Sequence, residues 1–169
     1  TSRPVTMALA FPELSAKLGI FNALDMAGYN YKEHLYEQDH KDYPAVALLG
    51  SENGQDYSQW KVVEDNPYIS GQFLWTGFDY LGEAHGWPIH GSGAGIMDLA
   101  GFAKHRFFAR KSYWCAEPMV KLATRYFNDR DVNGEWIPMY PSWNYKDGET
   151  VLVRVFSNMP EVALVLNGQ

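Results

Sequence analysis

Val46-Ala47-Leu48-Leu49-Gly50-Ser51-Glu52-Asn53-Gly54 is a continuous apolar run that opens after Pro44 and ends abruptly in small and polar residues. The lack of polar alternation is the pattern of a strand covered on both faces, as in a parallel sheet. Where the strand emerges, the small residues let other groups approach closely, and one carboxylate, Glu52, sits at that mouth. The C-terminal end of a parallel barrel strand is where catalytic acids, bases and nucleophiles are placed. A surface or helix-capping glutamate just past a strand has the same spacing, and this run alone does not separate the two readings.

The segments on either side repeat the pattern. Residues 3–9 read as a short buried strand, stopped by Phe11-Pro12, and Pro12 suits the first turn of a helix reaching about Ala23. Residues 24–31 form a second strand candidate ending in Tyr29-Asn30-Tyr31, and a polar helical stretch spans 32–42. After the Glu52 strand, residues 56–63 are predicted helical and closed by Asn66-Pro67, and 69–76 read as a fourth strand ending in Trp75-Thr76. A long Gly-rich loop over 77–99, interleaved with aromatics and acids, exceeds a plain connector and suggests a functional one. A helix is then expected from Ala100-Gly101 to about Trp114. Four alternations of strand and helix predict an α/β fold with a parallel sheet wrapped by helices.

Beyond Glu117-Pro118 the character changes. Residues 119–127, 137–145, 150–157 and 162–166 read as short strands split by Asn-Asp, Asn-Gly, Asp-Gly and Asn-Met-Pro turns, which suits an antiparallel sandwich. The expected domains are therefore 1–117 and 118–169. The chain starts without Met inside a predicted strand and stops at a strand entering a hairpin turn, so it is expected to be a piece of a larger protein.

Composition narrows the function classes. Hydrophobic residues make up 46%, enough for a packed core. Six Trp and eleven Tyr suit flat amphipathic ligands such as sugars, although packing uses the same residues. The formal charge is −6 with no dense basic block, which argues against nucleic-acid or anionic-membrane partners; Lys104 to Lys111 reads as the solvated face of one helix. The single Cys115 excludes an internal disulfide framework and leaves the compartment open. His85 and His90 lie five apart in the Gly-rich loop without a carboxylate or Cys to complete a ligand set, so they are taken as rim residues and no metal is expected. Four strand ends present polar groups that converge on one mouth in a parallel barrel: Asn30 with Tyr29 and Tyr31, Glu52, Trp75 with Thr76, and whatever follows Met7. Amide and acid groups can hydrogen-bond hydroxyls while a ring face takes the apolar side of a sugar.

Asp25-Met26-Ala27-Gly28-Tyr29-Asn30-Tyr31, Gly50-Ser51-Glu52, and Gly71-Gln72-Phe73-Leu74-Trp75-Thr76-Gly77-Phe78-Asp79-Tyr80-Leu81-Gly82-Glu83 resemble a bacterial β-galactosidase of glycoside hydrolase family 2. Gly95-Ile96-Met97-Asp98-Leu99-Ala100-Gly101-Phe102, Lys104 and Tyr113-Trp114 continue the match. Pro141-Ser142-Trp143-Asn144-Tyr145 and Val165-Leu166-Asn167-Gly168 are similar to the immunoglobulin-like domain that follows the barrel in that family. The resemblance runs along nearly the whole chain, and the Phe-Leu-Trp-Thr-Gly-Phe-Asp-Tyr run is its most specific part.

The resemblance implies the C-terminal half of a TIM (β/α)₈ barrel followed by the start of an immunoglobulin-like sandwich, from a retaining exo-β-glycosidase acting on a terminal neutral β-linked sugar without a cofactor. It implies that Glu52, at the seventh barrel strand, is the nucleophile. The acid/base belongs to the fourth strand and lies outside this chain, whose matching starts at the fifth. Glu13, the sole glutamate before Leu24, lacks the preceding Asn of the family pattern. Asn30 and Tyr31 match the sixth-strand end, where a Tyr hydroxyl donated to Glu52 would help hold it ionised. Trp75 matches the indole that stacks on the sugar. Asp79 is either a hydroxyl-binding or a turn-capping acid, and Glu83 is read as structural. Related β-glucuronidases carry an Asn-x-Lys pair where this chain reads His90-Gly91-Ser92-Gly93-Ala94, which favours a neutral sugar over a uronic acid. A non-catalytic carbohydrate-binding module and a family 2 enzyme of other specificity are the competing readings.

Overall fold

The structure is a computed structural model and describes residues 2–127 and 137–168. It divides into two compact units, Thr1–Gly77 and Phe78–Gln169.

In the first unit four strands, β1 (Thr6–Leu9), β2 (Met26–Asn30), β3 (Ala47–Asn53) and β4 (Ile69–Leu74), form one sheet in the order β1-β2-β3-β4. Every neighbouring pair is parallel. Three helices cross between them: α1 (Pro12–Lys17), α2 (Tyr36–Asp42) and α3 (Tyr57–Glu64). The predicted parallel sheet is therefore present, with Pro12 at the head of α1 as its fixed φ favours. The first helix is shorter than its expected reach to Ala23. Gly19 adopts the left-handed conformation at φ 72° and ends the helix, and a separate 3₁₀ turn follows over Ile20–Ala23. The stretch expected as one helix over 32–42 begins as a 3₁₀ turn, Glu33–Leu35, before α2.

The core lies under the crossovers. Leu9, Phe21, Ala27, Tyr29, Tyr36, Leu48 and Ile69 pack into one buried cluster. Tyr29 meets Tyr36 edge-on at 5.1 Å between ring centroids, and Phe21 stacks on Tyr43 at 4.5 Å. The run that announced β3 keeps its promise at Leu48, which is wholly buried.

The second unit starts in the Gly-rich loop, which is more ordered than a plain loop. Tyr80–Leu81 (β5) pairs antiparallel with Gly91–Ser92 (β6). The helix expected from Ala100 begins later, as α4 (His105–Trp114). Asp98 Oδ1 accepts the amides of Ala100 and Phe102 at 2.9 and 2.8 Å, and Gly101 turns at φ 85°, so these residues are committed to a turn before a helix can start. The Lys104–Lys111 stretch is not wholly solvated: Arg110 is 2% exposed, its guanidinium 5.0 Å from the Trp114 ring centre.

β7 (Val120–Tyr126) and β8 (Val151–Ser157) form an antiparallel pair in unbroken register. Ala123, Ile137 and Met139 are buried beside it, backed by Leu152 and Phe156. Asn158 locks the end of the pair: its Nδ2 donates to the carbonyls of Cys115 and Glu117, and its Oδ1 accepts from the Met119 amide. Two expected strands are not strands. Residues 137–145 contribute one bridge, Tyr140 to Thr124, and 162–166 run without a ladder. Val162, Leu164, Val165 and Leu166 are exposed, so their β propensity meets no partner among the described residues. Trp143 is 54% exposed and packs edge-on against Tyr145. The Asn-Asp and Asn-Gly turns at 128–129 and 133–134 lie outside the described residues.

Candidate active site

Because all four strands of the first unit are parallel, their C-terminal ends fall on one side of the sheet, and three of them carry the polar groups singled out above. β3 is irregular there on both sides. Against β2 the register runs Tyr29 to Gly50 and then Asn30 to Glu52, so Ser51 is an extra residue. Against β4 it shifts between Gly50 and Asn53. Bulges of this kind re-aim side chains and gather next to functional sites. Here the shift sets Glu52, rather than Ser51, opposite Asn30.

The backbone then clamps this end from each flank. The Tyr31 amide donates to the Glu52 carbonyl at 2.8 Å, and the Trp75 amide donates to the Asn53 carbonyl at 2.9 Å. Tyr31 makes its bond from the left-handed region, at φ 56°, a conformation that disfavours a residue with a side chain. Tyr31 is 44% exposed, whereas Glu52 and Trp75 are half-buried. The Trp75–Thr76 peptide is cis. Ser51 Oγ donates to Asn30 Oδ1 at 2.8 Å, which turns the Asn30 amide nitrogen away from Ser51. Gln55, buried, donates from Nε2 to the Trp75 carbonyl at 3.3 Å and holds the end of β4 to the segment after Glu52.

Glycines make room for this arrangement. A Cβ on Gly28 would lie 2.7 Å from Ser51 Oγ, and one on Gly50 would lie 1.9 Å from Asn53 Oδ1. Asn53 itself is wholly buried. Its Nδ2 donates to Glu33 Oε1 at 2.9 Å and approaches the Tyr36 hydroxyl at 3.4 Å, while its Oδ1 finds no protein partner among the described residues. Below it, Tyr29 donates its hydroxyl to Asp39 Oδ2 at 2.8 Å. Burial, and then the Asp39 carboxylate, push the Tyr29 phenol far above its ordinary range, so it stays a neutral donor. Burial pushes Tyr36 up to about 12. Asp39 is raised too, chiefly by burial, although the bond from Tyr29 pulls the other way.

The sequence singled out Asn30, Tyr31, Glu52 and Trp75, and the structure brings all four to the same end of three adjacent strands. Asp79 belongs to the second unit, where it works as a loop tie. Its Oδ1 accepts from the Gly95 amide at 2.9 Å and from Lys104 Nζ at 2.6 Å. Glu83 accepts a hydrogen bond from the Tyr80 hydroxyl inside the β5–β6 hairpin, in keeping with a structural part. Sequence reasoning passed over Ser51, Asn53 and Glu33. The signal that could have found them is Gly50 inside an otherwise bulky apolar strand, which marks a place where another group must come close. Among the described residues no three His, Cys, Asp or Glu side chains gather into a metal-sized cluster.

A half-buried carboxylate at the end of a parallel strand, with an amide, a phenol and an indole on the flanking strand ends, can carry out nucleophilic chemistry on a sugar. Known proteins agree with that class: a homologue named as a β-galactosidase and two structural neighbours named as family 2 glycosyl hydrolases match this chain at 29–38% identity, the two structures over its whole length. The β-galactosidase BoGH2A of Bacteroides ovatus is 38% identical over 112 residues, which are 64% of this chain and 11% of that protein. A Formosa agariphila protein provisionally named a β-glucuronidase is 35% identical over 113 residues, 64% of this chain and 10% of that protein. The crystal structure of a family 2 glycosyl hydrolase from Bacteroides cellulosilyticus superposes with a TM-score of 0.84 at 29% identity, over 100% of this chain and 22% of that one. The chain thus spans about a tenth of the length of these curated relatives. No family model matches it.

Proposed function

We propose that this chain is the C-terminal half of the (β/α)₈ catalytic domain, residues 1–117, and the start of the immunoglobulin-like domain, residues 118–169, of a retaining exo-β-glycosidase of family 2. The observation that carries the reading is the grouping of Asn30, Tyr31, Glu52 and Trp75 at one end of a parallel sheet. In the first step the Glu52 carboxylate attacks the anomeric carbon. A glycosyl ester forms as the bond to the leaving oxygen breaks, and that oxygen takes a proton from an acid/base on a strand outside this chain. In the second step the same acid/base deprotonates a water. The water displaces Glu52 and restores its carboxylate. The two carboxyl groups of such a pair stand about 5–5.5 Å apart. Tyr31 positions the nucleophile, Asn30 binds sugar hydroxyls, and Trp75 stacks on the ring.

A terminal neutral sugar, galactose first, is supported by the named β-galactosidase homologue and by the absence of a Lys in His90-Gly91-Ser92-Gly93-Ala94. The provisionally named β-glucuronidase homologue supports a uronic acid as the second reading. The test uses the full-length enzyme that contains this segment. A 2-deoxy-2-fluoro glycoside should leave a covalent sugar on Glu52, located by peptide mass, and Glu52→Gln should lower turnover by roughly 10⁴-fold or more. A label on another residue, or turnover surviving in Glu52→Gln, overturns the assignment. Aryl galactoside and aryl glucuronide, compared by kcat/KM, decide the sugar.

A further inference from the structure

We infer that Asn53 is a positioning residue for Glu52, fastened by Glu33, and that this pair sets how readily the glycosyl-enzyme forms; the inference rests on the glycosidase reading above. The register of β3 fails on both flanks where its last residues meet β2 and β4. A regular ladder would fix the direction of the Glu52 side chain through repeated bonds on either side. Here the ladder is interrupted on each flank, and main-chain bonds to the Glu52 and Asn53 carbonyls lie just beyond the interruptions.

The Asn53 side chain supplies the missing anchor. It is wholly buried, points back under the strand, and its Nδ2 donates to Glu33 Oε1 at 2.9 Å, a charge-assisted bond. Glu33 stands in the 3₁₀ turn that leads into α2, next to Tyr36, whose ring is packed in the core against Tyr29. The anchor therefore ties the end of β3 to the best-packed part of the unit. Gly50 exists at its position to admit this amide, since a Cβ there would lie 1.9 Å from Asn53 Oδ1 and 2.7 Å from Cγ. A shift of the Asn53 backbone moves Glu52 with it, because the two residues are adjacent. A misplacement of about 1 Å at a reacting group can cost about 100-fold in rate.

The test is made in the full-length enzyme, with kcat, KM, the rate of 2-fluoro-glycoside labelling at Glu52 and the thermal midpoint measured for each variant. N53A should lose roughly 10–100-fold in kcat and in labelling rate, with KM near the wild-type value. E33Q should stay close to wild type, because the amide oxygen still accepts from Asn53. N53D sets two carboxylates face to face and should fall at least as far as N53A. The double variant N53D/E33Q restores a donor and an acceptor with the bond reversed, and should recover to within a few-fold of wild type. A wild-type kcat in N53A overturns the inference. So does a double variant with a wild-type thermal midpoint and no recovery. If the Asn53 variants fail to accumulate, E33A decides: it should lower kcat at constant KM, and an unchanged kcat overturns the inference. None of these results touches the glycosidase reading, which stands or falls on Glu52 labelling and Glu52→Gln.

Discussion

Gly50 shows how a single missing methyl group can shape the candidate site. Its neighbours Leu49 and Ser51 carry the strand, yet the position itself must stay bare because the Asn53 amide lies against it. Gly50→Ala in the intact enzyme is therefore expected to push that amide off Glu33, lowering both the thermal midpoint and kcat. Gly77→Ala is the control, since an added Cβ there meets nothing within 4 Å and its φ is ordinary. Equal behaviour of the two variants in a melting experiment and a turnover assay would remove the steric argument. Asp39 offers a second test at this scale. Its carboxyl is raised, first by burial, so the folded chain holds a proton that the unfolded chain releases more readily. Its contribution to stability is full below the unfolded value near 3.8 and is lost as pH rises through the folded value above it. Asp39→Asn keeps an oxygen to accept from Tyr29 and removes the titration. Its thermal midpoint should match wild type near pH 3.5 and gain on it as pH rises toward 7. A parallel pH dependence in both proteins would show that Asp39 does not titrate in this way.

The elements divide by how local their causes are. The four strands of the parallel sheet were legible because apolar runs with Gly and Pro stops are local signals, and each observed strand lies inside its expected span. β3 is the clearest case. Leu48, at its centre, is wholly buried in the cluster with Tyr29 and Ile69. Leu48→Ala is expected to cost about 2–5 kcal/mol of stability, read by denaturant unfolding, whereas a loss under 1 kcal/mol would mean that the site collapses around the smaller side chain. Other features depend on partners that periodicity does not reveal. The first helix was expected to reach about Ala23, but the left-handed φ of Gly19 ends α1. Ala100-Gly101 looked like a helix start, yet Asp98 takes the local amides first. Residues 162–166 carry strand-forming side chains without a ladder beside them, because a strand needs a second chain segment at the right distance. The bulge at Ser51 belongs here too. Alternation in one strand cannot show that its neighbour is out of step, so Glu52 was legible as a strand-end carboxylate while the Asn53–Glu33 anchor was not.

At the scale of the molecule, the sheet order places β1 and β4 at its two edges. Apolar side chains accompany these edges: Met7 on β1 and Phe73 on β4 are 49% and 64% exposed, and Phe11, Leu14 and Leu18 on or beside α1 are exposed as well. Four parallel strands do not close a barrel, and eight are needed for a side-chain-filled interior. In the proposed enzyme the remaining strands would cover both edges and bring the acid/base to Glu52. Two outcomes are expected when the 169-residue chain is produced alone. It should show no turnover of aryl galactosides, because the proton donor to the leaving group is missing. It should also self-associate, read as a mass well above 19.2 kDa by light scattering after size exclusion. Adding separately produced N-terminal sequence of the same enzyme should restore both a defined mass and activity that Glu52→Gln abolishes. A monomeric, active chain would mean that the acid/base lies within these residues and that the half-barrel proposal is wrong. A monomeric, inactive chain that binds galactosides equally well with Glu52→Gln would favour a carbohydrate-binding module instead.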